Sequence, residues 1–363
     1  MSMVPAAGWK TVPAYSIAKD EPDYYLSMGL TAEAVAKEYN ISREDQDTFS
    51  YQSHQKAIHA IQNGYFKDGI LPITVEETYL DAQRKKKTRS YVVDTDEGPR
   101  TDTSVEALAR LKPVFALNGS VTAGNSSQTS DGAAFVVVMG EKLMNQLGLK
   151  PLARLVACAS AGVHPRVMGI GPIEAIPKVL RQAGMNLGNI DLVELNEAFA
   201  SQALAVIRTL ELDPAAVNIN GGAIALGHPL GCTGCKLTIQ ITHDMKRLSK
   251  KYGIVTACVG GGQGIAGIRR DRQQIVHAEP GNDAQRHQRQ NPGEAGILDE
   301  GLGAGGDLAE NPAAVLHQRH RVAAERAEDA HRHHQRNQDL HGGDAEVAKA
   351  RVDSQRGALQ PLG

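Results

Sequence analysis

The apolar positions of this chain change period several times, and each change marks an element. From Thr31 the spacing is helical: Ala32, Val35, Ala36 and Tyr39 share a face, with Thr31 placed to cap the start. Ser42-Arg43-Glu44-Asp45 has the form of a capping box. It predicts a longer helix through Phe49, His54, Ile58 and Ile61, stopped at Gly64. Short β-prone pieces follow at Ile73-Thr74-Val75 and Tyr91-Val92-Val93. Residues 1–25 show no period and read as irregular, and residues 120–134, rich in Gly, Ser, Thr and Asn, read as a loop.

From there strands and helices alternate. Phe135-Val136-Val137-Val138 and Leu155-Val156-Ala157-Cys158-Ala159 read as strands, the first of them buried, and 141–147 as a helix. Pro172 opens a helix that runs to Ala183. Leu192-Val193-Glu194-Leu195 is a short strand leading into Asn196, and the next helix lines up Phe199, Ala203, Leu204, Ile207 and Leu210. Val217-Asn218-Ile219 reads as a strand, Gly221 to Gly234 as a glycine-rich loop, and Lys236 to Lys250 as a helix. Gly253 to Val259 is a buried strand ending in Gly260-Gly261-Gly262. Such alternation predicts α/β layering.

The pattern stops after residue 268, and composition changes with it. All fifteen aromatics, all four Cys and all eight Met of the 363 residues precede residue 269. The 95 residues from 269 to 363 hold one Lys against 12 Arg, with eight His. Little large apolar surface is left there to offset chain entropy. His331, His333 and His334 suggest metal binding on one reading, and a disordered or frame-shifted tail on the other.

Bulk properties exclude several classes. A net charge of -2 argues against a phosphate-dominated nucleic-acid binder. The run Arg84-Lys85-Lys86-Lys87 is either a solvated loop or an edge that recruits phosphate. Four Cys make no disulfide framework and point to a reducing, cytoplasmic setting. No apolar run reaches 18 residues, so no membrane span is expected. The opening residues, Met1 to Gly8, have neither a basic n-region nor an apolar h-region.

Three segments carry candidate chemistry. Asn196-Glu197-Ala198-Phe199 lies at a strand-to-helix turn, where the Asn could act or simply cap the helix. His228 stands between Gly227 and Pro229 in a loop of glycines, either structural or held for a ligand by the backbone. Cys258 lies near the end of a buried strand, where α/β folds place reactive groups, though a Cys there can equally be a small buried hydrophobe. Other patterns are decoys. Gly262-Gln263-Gly264-Ile265-Ala266-Gly267 fits G-x-G-x-x-G, but Arg269-Arg270-Asp271-Arg272 and a polar tail follow instead of a βαβ unit. Cys232-Thr233-Gly234-Cys235 lacks the second pair a zinc site needs.

Taken together, these segments resemble the thiolase family, the acetyl-CoA acyltransferases and acetyltransferases. The resemblance runs from residue 1 to about 268 and includes Met28-Gly29, Thr122 to Ser127, Asp131-Gly132 and Met168 to Pro172. It implies a layered αβα fold with a complete C-terminal half and an incomplete N-terminal half. The implied division is 1–149 for the N-terminal domain remainder with its loop region, 150–268 for the C-terminal domain, and 269–363 for an unrelated tail. The implied reaction is exchange between a 3-oxoacyl-CoA plus CoA and a shortened acyl-CoA plus acetyl-CoA, as in fatty-acid β-oxidation, or the reverse Claisen condensation.

The resemblance also assigns roles. Cys258 becomes the acid/base, a role that a thiol suits near neutrality if its pKa is lowered. His228 activates the nucleophile and donates to the enolate-like oxygen, Asn196 holds a water at that oxyanion site, and the Gly260 N–H serves the second oxyanion. Arg100 matches a position near the CoA nucleotide, and Ser127, Ala123, Met28 and Phe199 match the pantetheine channel; Ser27 stands where many members have a His. CoA thioesters are substrates, so neither cofactor nor metal is implied, and the family forms homodimers or homotetramers. The family's nucleophilic Cys lies upstream of the motif that begins here at Met1, and no Cys precedes Cys158. The expectation is a chain lacking about the first third of a thiolase and inactive alone, with a non-catalytic CoA-binding or interaction remnant as the alternative.

Overall fold

The computed structural model describes residues 13–272. The chain divides into two units, Met1–Glu279 and Pro280–Gly363, and every described residue belongs to the first. The readings placed on residues 1–12 and on the tail, His331, His333 and His334 included, lie outside the described residues.

The start is more helical than its sequence suggests. Helix α1 spans Tyr15–Asp20, a 3-10 turn covers Pro22–Tyr25, and α2 spans Met28–Glu38. Ser27, with φ -63 and ψ 150, takes the N-cap backbone position expected of Thr31. Thr31 instead sits in the first turn and donates to Met28 O at 2.7 Å. Helix α3 (Arg43–Gln62) begins with the predicted capping box: Ser42 Oγ accepts from Asp45 N, and Ser42 N donates to Asp45 Oδ2. It ends at Asn63, with Gly64 at φ +68 taking the left-handed position that a Cβ would disfavour.

Strands β1 (Ile73–Leu80) and β2 (Lys86–Val93) form an antiparallel hairpin, so the basic run lies at its turn and enters β2. Two short helices follow, α4 (Val105–Ala109) and α5 (Glu141–Gln146). The strand expected at 135–138 does not form, and Phe135, Val137 and Val138 are 88%, 85% and 79% exposed. A strand needs a neighbour to take its backbone hydrogen bonds, and among the described residues none pairs with this run.

The core is a four-stranded sheet of β3 (Ala153–Gly162), β4 (Leu192–Leu195), β5 (Tyr252–Val259) and β6 (Gln263–Asp271), in the order β3-β6-β5-β4. Only the β4–β5 pairing is parallel. A single parallel bridge, Val193 to Val217, is what remains of the strand read at 217–219. Strand β6, unforeseen in the sequence, is built from the G-x-G-x-x-G decoy and continues across position 268. Its Gly264 backbone lies against Gly171, leaving no room for a Cβ on either residue.

Helices cover both faces of this sheet. Helix α6 (Gly171–Ala183) packs Ala175, Ile176, Val179 and Leu180 on Ala159, Ile254, Ala266 and Ile268. Helix α7 (Ala200–Thr209) sets Ala203, Val206 and Ile207 on Val193, Leu195 and Val217. A short α8 (Ala223–Leu226) forms inside the glycine-rich stretch, and α9 (Thr233–Arg247) starts three residues before Lys236. On α9, Ile241 and Met245 pack on Leu192. Side chains alternate across a strand, so Val193 and Leu195 face α7 while Leu192 and Glu194 face α9. Each fully buried aliphatic side chain contributes roughly 1.5–3 kcal/mol. The result is a helix–sheet–helix sandwich in which the ends of β4 and β5 sit side by side.

Candidate active site

Asn196 immediately follows β4. Its N–H donates to Thr256 O at 3.0 Å, extending the parallel pairing and fixing the residue beside β5. Asn218 completes the free edge: its side-chain amide exchanges two 2.8 Å bonds with the Leu195 backbone. Gln202 Nε2 donates to Asn196 O at 3.2 Å. Asn196 is 1% exposed, and its Oδ1 has no hydrogen-bond partner among the described residues.

Glu197 joins this turn to the glycine-rich loop. Its carboxylate accepts from Ser53 Oγ at 2.6 Å, Asn218 Nδ2 at 2.8 Å and Ile224 N at 3.3 Å. Ser53 Oγ in turn accepts from Gly222 N at 3.0 Å. The carboxylate occupies the space where a Gly222 Cβ would lie, so only glycine fits there. Burial raises the Glu197 carboxyl above its usual range, and its three donors oppose the shift.

The loop places His228 against Asn196. Asn196 Nδ2 lies 3.4 Å from His228 Nε2, and His228 Nδ1 lies 2.6 Å from Thr233 Oγ1. Thr233 Oγ1 donates its own proton to Pro229 O at 3.0 Å. The hydroxyl therefore accepts from the ring, which puts the ring proton on Nδ1 and the lone pair on Nε2, towards Asn196. Burial, followed by the positive charge of Lys236, lowers the His228 pKa, so the ring is held neutral. This arrangement can accept a proton at Nε2.

Cys258 lies two residues beyond Thr256 on β5, in register with Gly264 of β6. Among the described residues, no hydrogen bond joins it to Asn196 or His228. Burial pushes its thiol up to about 12, opposite to the lowering that proton exchange near neutrality calls for. Gly260 follows in the β5–β6 turn, and a Cβ on it would be 3.9 Å from Met28 Sδ.

The structure gathers several of the residues matched to the substrate channel. Met28 opens α2 and is 41% exposed. Phe199 meets Phe115 edge to face, with ring centroids 6.1 Å apart, and Phe115 lies against Gly29. Ser127 N donates to Ala198 O at 2.9 Å, and Ser126 bridges Phe199. Ala123 opens a 3-10 turn capped by Thr122. Arg100 is not drawn into this group: its exposed guanidinium pairs with Asp102 at 3.2 Å.

Sequence reasoning missed several supporting residues. Gln128 Nε2 donates to Gly98 O, Ile224 O and Ala225 O, and Gln128 O accepts from His228 N. Glu197 and Thr233 were visible within quoted motifs, but nothing local showed what they would touch. A cleft of about 460 Å³ lies between α3, α7 and residues 214–218, lined by Phe49, Lys56, Glu197 and Arg208. It shares Glu197 with the site but includes none of Asn196, His228 or Cys258. Among the described residues, no cluster of three His, Cys, Asp or Glu side chains could hold a metal ion, and no helix is long and apolar enough to cross a membrane.

Comparison with known proteins places these motifs. Residues 17–142 match the family "Thiolase, N-terminal domain", and residues 149–270 match "Thiolase, C-terminal domain". The chain is 53% identical over 268 residues to a 3-ketoacyl-CoA thiolase of Bacillus subtilis, covering 74% of this chain and 68% of that protein. The crystal structure of the Bacillus anthracis acetyl-CoA acetyltransferase is similar with a TM-score of 0.65 at 43% identity, over 73% of this chain and 66% of that one. Human mitochondrial 3-ketoacyl-CoA thiolase in complex with CoA gives a TM-score of 0.61 at 42% identity, over 68% and 59% of the two chains. The chain thus spans from 59% to 68% of the length of these relatives.

Proposed function

This chain belongs to the thiolase family, and from that premise we propose that its site serves acyl transfer between CoA thioesters. The reaction is 3-oxoacyl-CoA plus CoA going to acyl-CoA plus acetyl-CoA, in the degradative sense of β-oxidation, or its Claisen reverse. The observation that carries the reading is the Asn196–His228–Thr233 chain, with a neutral imidazole whose Nε2 lone pair faces Asn196 and can take a proton.

In the proposed cycle a thiol gives its proton to His228 Nε2 and attacks the 3-oxo carbon. The C2–C3 bond breaks, and its electron pair stays on C2 of the departing acetyl-CoA. Cys258 protonates that carbon and is left as thiolate. It then takes the proton of an incoming CoA thiol, which attacks the acyl thioester, and the first sulfur leaves as thiolate and recovers its proton from His228. Asn196 and His228 serve the thioester oxygen through a water and the ring, while the Gly260 N–H serves the acyl-side oxyanion. The pKa of the Cys258 thiol, raised by burial, suits a group that starts protonated. Met28, Phe199, Ser127 and Ala123 line the pantetheine path, and Arg100 faces the nucleotide after leaving Asp102. CoA thioesters are substrates, and no cofactor enters. Four free cysteines favour a cytoplasmic protein, and assembly as a homodimer or homotetramer follows the family.

In this reading none of Cys158, Cys232, Cys235 and Cys258 takes the part of the family's attacking thiol. We therefore propose that these 363 residues bind CoA thioesters without completing turnover. A second reading, a non-catalytic CoA-binding or interaction remnant, draws on the unpaired run at 135–138. Two measurements separate them. The chain alone should not cleave acetoacetyl-CoA, yet it should exchange the C2 protons of acetyl-CoA with D2O, and Cys258→Ser should stop that exchange. CoA binding without exchange favours the remnant, and thiolysis by the chain alone overturns the claim of inactivity.

A further inference from the structure

Helix α9 grips the His228 loop twice. Thr233, its first residue, holds the ring at Nδ1. One turn later, Lys236 Nζ donates to Gly227 O at 3.0 Å and lies 3.5 Å from Leu226 O. These carbonyls close α8, a four-residue helix with too few turns to satisfy them internally. Gly227, at φ +84, turns the chain from there directly into His228.

The Lys236 side chain is half-buried, and that burial lowers the ammonium's pKa, since a charge drawn out of water is costly unless it is paired and hydrogen-bonded. It faces Asp96 from the segment after β2, Glu194 and Glu197 from the end of β4, and Cys232 at the head of its own helix. What the ammonium does that an apolar chain cannot is hold the peptide that precedes the imidazole.

We propose that Lys236 is a positioning residue for His228: by holding the Gly227 carbonyl it sets the ring so that Nδ1 meets Thr233 and Nε2 meets Asn196. Its charge also disfavours the imidazolium, keeping the ring in the form that can accept a proton. The inference rests on the reading of His228 as a base, but its test reads the ring itself and needs no turnover.

The test is NMR of the full chain with 15N-labelled histidine, the His228 signals being assigned with His228→Asn. In the unmodified chain the ring should be the Nδ1–H tautomer and titrate below the ordinary His range. Lys236→Met should raise the midpoint and mix the tautomers, while Lys236→Arg, which keeps charge and donors, should restore both. A folded Lys236→Met with unchanged ring shifts and midpoint overturns the proposal, and so does an equal change in Lys236→Arg. Should Lys236→Met fail to fold, a through-hydrogen-bond coupling between Lys236 Nζ and the Gly227 carbonyl carbon decides the matter in the unmodified chain. A coupling supports the proposal and its absence overturns it. If the ring behaves as stated while acetyl-CoA exchange is absent, the functional reading fails and the positioning role stands.

Discussion

Removing the Glu197 carboxylate should be far more damaging than removing its charge. The carboxylate accepts from Ser53, Asn218 and Ile224, which belong to three separate stretches of chain. In Glu197→Ala all three donors lose their acceptor, and each buried donor left unpaired costs about 1–3 kcal/mol. The cleft lined by Ser53, Glu197 and Asn218 lets water reach part of the gap, which favours the low end of that sum, about 3 kcal/mol. Glu197→Gln keeps one acceptor oxygen, turns an amide NH2 towards at least one of the three donors, and removes a buried charge whose carboxyl is already raised by burial. Its loss should be about 1 kcal/mol, the low-end cost of one orphaned donor, against three in Glu197→Ala. For a folded body of this size, 3 kcal/mol corresponds to a fall in Tm of about 6–12 °C. Thermal melts of the full chain followed by circular dichroism, with both variants at neutral pH, measure the difference. Equal shifts for Ala and Gln would show that charge and not hydrogen bonding matters at this carboxylate. A loss under about 1 kcal/mol in Glu197→Ala would refute the accounting of orphaned donors.

Other consequences follow from burial and close contact. Burial, with Asp244 and Glu197 nearby, lifts the Glu194 carboxyl well above its usual value. Native protein therefore binds that proton more tightly than the unfolded chain does. Its contribution is complete below about pH 4.5 and is lost as pH rises through the raised native value. Glu194→Gln should flatten that part of the stability profile, and an unchanged slope in melts across pH would refute the assignment. Gly264→Ala drives a Cβ into the Gly171 backbone and should cost at least about 1–3 kcal/mol in denaturant unfolding; a neutral substitution would mean that β6 and α6 are farther apart. At neutral pH, iodoacetamide should label exposed Cys158 well before Cys258. Labelling of Cys258 should rise about tenfold per pH unit on the alkaline side, and early labelling, read by peptide mass spectrometry, would contradict a thiol raised by burial.

Elements with local causes were legible before the structure. The Ser42 capping box, the helix read from Pro172 to Ala183 and the strand running into Asn196 each depend on neighbours in sequence. The motifs at Asn196, His228 and Cys258 were legible too, and with them the family. Elements with non-local causes were not. The run 135–138 has strand composition but no neighbour among the described residues to pair with. Strand β6 was hidden because its glycines, needed for the approach to Gly171, look locally like loop residues.

The same division runs through the site. Residue types and their spacing along the chain named Asn196, His228 and Cys258, because those side chains carry their chemistry wherever they stand. Which nitrogen of His228 bears the proton, which way the Cys258 thiol shifts and which groups hold the loop were decided by contacts that the residue types and their spacing do not show. Thr233 chooses the tautomer, while Glu197 ties α3 to α8 and Lys236 ties α9 to α8. Burial, hydrogen-bond direction and local charge are properties of the packed molecule, so only its tertiary structure could supply them.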